Sequence, residues 1–106
     1  MERIKQINKE VSSLNYKVQS FAGYRVELTA DDCKEILQKC DDLRNSVRAI
    51  KADLVIQFLR SEAKMFGLWV EAKSLKKNDK ELQGILSSIS NAEEILLVTM
   101  KVRGLS

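Results

Sequence analysis

The sequence predicts an all-α protein, an antiparallel bundle of three helices over about residues 2–22, 30–76 and 79–103 with a long central helix. Three observations carry that prediction. The 106 residues contain no proline and only four glycines, so little interrupts a helix. Apolar residues recur three and four apart over most of the chain, the spacing of one helical face. Recognisable start and stop signals fall where that spacing lapses.

The first helix is read from Ile4, Ile7, Val11, Leu14, Val18 and Phe21, a stripe with alternating steps of three and four. Lys5, Lys9, Glu10, Ser12, Asn15 and Lys17 fill its other faces. It should stop near Gly23, whose missing Cβ suits a left-handed cap. Tyr24, Val26 and Leu28 then alternate with Arg25 and Glu27, which predicts an extended connection with one apolar side on the helices.

Thr29 and Asp32 stand three apart at the head of the next apolar stripe, as in a capping box. Asp31, Asp32 and Glu35 add negative charge at the positive end of the helix dipole, so a helix should begin at Ala30. Its stripe is Cys33, Ile36, Cys40, Leu43, Val47, Ile50, Leu54 and Phe58. At 100° per residue the stripe continues in phase through Met65, Leu68, Trp69, Ala72 and Leu75, so one helix is expected to pass straight through Gly67 and span about 70 Å. Lys76, Lys77, Asn78 and Asp79 supply C-terminal cations and a new cap with Glu81, which places the next turn there.

The third helix is read from Leu82, Ile85, Ile89, Ala92, Leu96 and Met100, flanked by Leu86, Ile95, Val98 and Val102. Residues 95–102 are β-branched enough that a strand pairing with 24–28 is the alternative. No repeat, linker or low-complexity tract divides the chain, so residues 1–106 are expected to form a single helical domain.

With turns near 23–29 and 76–79, each half of a long central helix would have one antiparallel partner in its own chain. Val55, Leu59, Phe66 and Val70 form a second apolar stripe on the same helix, and Phe58 and Trp69 add aromatic bulk. These six residues are the expected interaction surface, covered by a second copy in a homodimer. The alternative is a monomeric four-helix bundle, with the central helix broken near 60–67.

The chemistry available to the chain is narrow. There is no histidine, which removes the commonest general base and a common metal ligand, and with it serine–histidine and cysteine–histidine catalysis. Cys33 and Cys40, seven apart on one helix, sit about 10 Å from each other and read as small buried hydrophobes in a reducing compartment. In a dimer they could meet their counterparts across the interface. The acid pairs Asp31–Asp32, Asp41–Asp42 and Glu93–Glu94 point ~100° apart on a helix and converge on nothing. No catalytic residue, cofactor, metal or small-molecule substrate is expected.

The net charge of +3 is modest, but residues 43–80 hold nine bases against four acids. Arg44, Arg48, Lys51, Arg60, Lys64, Lys73, Lys76, Lys77 and Lys80 are therefore candidate contacts to a polyanion, and nucleic-acid binding is the alternative function. Base-stacking aromatics are not interleaved with them. Neither a secretory leader nor an eighteen-residue apolar span is visible, which leads us to expect a cytoplasmic protein without a membrane partner. The leading functional expectation is a non-enzymatic protein–protein interaction module: an adaptor, assembly factor, chaperone or small inhibitor.

Overall fold

The computed structural model describes residues 2–23, 26–60 and 65–105, and the side chains of all these except 58–60 and 65–75. Three helices make the fold: α1 (Glu2–Ala22), α2 (Ala30–Arg60) and α3 (Met65–Val102). Ion pairs fix their order. Arg3 meets Asp53 at 2.7 Å, Lys39 meets Glu10 at 3.8 Å and Lys17 meets Glu35 at 4.0 Å, so α1 and α2 are antiparallel. Lys51 meets Asp79 at 3.2 Å and Arg44 meets Glu93 at 2.6 Å, so α2 and α3 are antiparallel as well. The bundle therefore runs up, down, up, with α1 and α3 parallel.

The core follows the apolar stripes. All six stripe residues of α1 are buried, as are Cys33, Ile36, Cys40, Leu43, Val47, Ile50 and Leu54 of α2, and Leu82, Ile85, Ile89, Ala92 and Leu96 of α3. Each large aliphatic among them contributes about 1.5–3 kcal/mol on full burial. Near the end of α3 the expected Met100 is only partly buried and Thr99 takes the core position. A strict step from Leu96 to Met100 would drift off the seam, whereas a step of three returns to it. Thr99 satisfies its hydroxyl by donating to the Ile95 carbonyl at 2.7 Å.

The largest departure from the sequence reading is where the chain turns. The helix expected to run from 30 to 76 ends at Arg60, and the turn expected at 76–79 is uninterrupted helix, since α3 runs from Met65 through Asn78 and Asp79. Gly67 does lie inside a helix, but the reversal comes before it, between Arg60 and Met65. Phase continuity cannot locate the break, because periodicity records which face of a helix is apolar and not whether the chain reverses between two stretches that share a phase. Asn78 and Asp79 are tolerated mid-helix because their propensity cost is below about 1 kcal/mol, and Asp79 finds Lys51.

This relocation changes the packing. Instead of α1 and the last helix covering separate halves of a rod, both lie along the same stretch of α2, and Cys33 to Leu54 form the third wall of one shared core. The break occurs where the four-helix alternative put it, but a single turn gives three helices. The longest dimension of the molecule is 58 Å, with a cross-section of 19 × 18 Å.

The helix ends find three separate solutions. At the start of α2, the Thr29 amide donates to Asp32 Oδ2 and the Asp32 amide donates to Thr29 Oγ1, both at 3.1 Å, a complete capping box. Gly23 does not adopt the left-handed conformation expected of it, and Gly104 is the described glycine that does, with φ of 73°. There the Leu105 amide reaches back to the Met100 carbonyl at 2.8 Å and the Gly104 amide to Lys101 at 3.2 Å, a Schellman motif with Leu105 folded on the core. The C-terminus of α1 is served from outside: Arg103 donates from Nη2 to the Phe21 carbonyl and from Nη1 to the Val26 carbonyl at 2.7 Å. A cation thus sits at the negative end of the α1 dipole.

The connection between α1 and α2 contains no strand among its described residues, and 95–102 is helical, so the β-pairing alternative is excluded. The apolar side expected for Tyr24, Val26 and Leu28 is not formed as such. Leu28 is buried while Val26 is 46 % exposed, and Tyr24 lies outside the described residues.

Candidate interaction surface

The three-helix core has a definite end. α1 begins beside Asp53 of α2, and Ile4 and Lys5 line a groove with Glu81 and Ile85 of α3. Among the described residues, Leu54 and Leu82 are the last buried ones at this level. Both partner helices continue past it, α2 to Arg60 and α3 back to Met65, the latter for about 24 Å at 1.5 Å per residue. Beyond the start of α1, no described element of the chain lies against them.

Apolar side chains surface where the third helix stops. Val55 is 39 % exposed and Ile56 44 %. Of the six residues expected to form an interaction surface, Val55 is the one whose side chain is described. Phe58, Leu59, Phe66, Trp69 and Val70 lie on the continuing helices, and their side chains fall outside the described residues. Ile56 was not among the expected residues because it falls off both apolar stripes. Its exposure follows from its place on α2, since Ala49, one heptad earlier, is also exposed.

A second exposed apolar group sits at the other end of the bundle, where Leu97, Val98 and Val102 of α3 are 46 %, 57 % and 60 % exposed. Val98 and Val102 read in the sequence as flanks of the core stripe, and helix geometry turns them outward.

The nine candidate bases do not form one face. Arg44 is largely withdrawn into ion pairs with Glu93 at 2.6 Å and Asp41 at 3.4 Å, and the hydrogen bond to Glu93 raises its pKa. Lys51 is held by Asp79. Arg48, Lys76, Lys77 and Lys80 are exposed. Lys77 lines the groove beside α1 with Lys5, and neighbouring Lys76 points ~100° away from it. Arg60 and Lys73 lie on described helices with side chains outside the description, and Lys64 is outside it altogether.

The remaining candidates for chemistry resolve into structural roles. Cys33 and Cys40 are buried free thiols in the core, so they do not face outward to meet a second copy. Burial pushes both thiols above their ordinary pKa, which leaves little thiolate at neutral pH. Asp32 is bound within the capping box, and its carboxyl is held below the ordinary range by the backbone and hydroxyl bonds from Thr29. Asp42 accepts from Gln38 at 2.9 Å. Among the described residues no group of three or more Cys, Asp or Glu could hold a metal ion.

Concavities are shallow. A groove of about 540 Å³ runs between α1 and α2, floored by Leu14 and Ile36, both themselves buried, and is spanned by the Glu10–Lys39 and Lys17–Glu35 pairs. No helix among the described residues is long and apolar enough to cross a membrane. The chain matches no family model, no characterised protein and no solved structure.

Proposed function

We propose that this chain is a non-enzymatic helical interaction module of the adaptor, assembly-factor, chaperone or small-inhibitor type, acting as a homo-oligomer through the end where three helices become two. One observation carries the proposal: α2 and α3 run on past the start of α1, and the first apolar side chains beyond it, Val55 and Ile56, are exposed. The sequence of the continuing helices adds Phe58, Leu59, Phe66, Trp69 and Val70, more apolar bulk than two helices can bury between themselves. Two such ends laid together would supply the four helices that a closed bundle needs.

A polyanion-binding role draws less support, since Arg44 and Lys51 already neutralise Glu93 and Asp79. A cytoplasmic setting suits two free thiols kept in the core. The test is a Val55→Asp, Ile56→Asp double variant followed by light scattering. The proposal expects the wild type at twice the 12.1 kDa chain mass and the variant at the single mass with helical circular dichroism retained. An unchanged mass in a folded variant would place the interface elsewhere.

A further inference from the structure

We draw no further inference here: the strongest candidate, the apolar face around Val55 and Ile56 where α2 and α3 run past the start of α1, belongs to the surface already proposed for self-association, and nothing in the structure shows what else covers it.

Discussion

Thr29, Arg103 and Gly104 each solve a helix-end problem, and each solution is separable by substitution. Thr29→Ala removes the hydroxyl that accepts from the Asp32 amide and should cost about 1 kcal/mol in urea unfolding. The same change should let the Asp32 pKa rise toward its ordinary 3.8, readable by carbon-detected NMR titration. Because the folded-state pKa of Asp32 is depressed, its contribution is complete above the ordinary value and is lost as pH falls through the folded one. A Thr29→Ala protein with an unchanged urea midpoint would contradict the capping box.

Arg103→Met keeps the stem but deletes donors to two carbonyls on another segment, and should lose about 2 kcal/mol. Arg103→Lys should recover only part of this, since an ammonium lacks the planar fork that reaches Phe21 and Val26 together. Unfolding curves superimposable with wild type for both variants would refute the clamp. The sequence concealed this role because Arg103 and Phe21 are 82 positions apart and meet only through the parallel packing of α1 and α3.

The glycines form a contrast series. Gly104→Ala should cost about 1–2 kcal/mol from backbone strain alone, because its φ is 73° and a Cβ there would meet nothing within 4 Å. Gly84→Ala should instead stabilise by up to about 1 kcal/mol, since that glycine is mid-helix and also faces open space. Equal effects of the two changes on the urea midpoint would contradict the assigned conformations. Cys33 and Cys40 should resist alkylation until the chain unfolds, and because burial raises both pKa values, stability should fall as pH rises past the ordinary thiol value of 9.0. Rapid labelling of native protein would place the thiols outside the core.

At the scale of elements, α1 and the first part of α2 were legible almost residue by residue, since one-sided burial leaves a three-four spacing that nothing else explains. Ile4 to Phe21 and Cys33 to Leu54 all occupy the core positions their spacing indicates. The turn between α2 and α3 was not legible. Ser61, Glu62, Ala63 and Lys64 contain neither proline nor glycine, while Lys76, Lys77, Asn78 and Asp79 carry every conventional stop and start signal without using it. Capping signals are worth about 1 kcal/mol each, and with neither proline nor glycine at 76–79 they do not stop a helix that runs on to Val102.

That misplacement also moved the candidate surface. With a turn at 76–79, the apolar excess around Val55 sits in the middle of a rod, whereas the observed turn carries it to the end of the bundle. Val55 is exposed there, and its position in the molecule depended on tertiary packing.

At the scale of the molecule, the bundle is a 58 Å rod of narrow section whose third helix spans only about half its length, roughly 31 Å for the 21 residues of α1. Along that half, three stripes close a core. Along the rest two helices continue without α1, and Val55 and Ile56, the first apolar side chains there, are exposed, which is the basis of the proposed self-association. Sedimentation equilibrium of the wild-type chain over a range of concentrations is the most direct test. We predict a mass converging on twice 12.1 kDa as concentration rises; a mass of 12.1 kDa at every concentration would contradict self-association at the two-helix end.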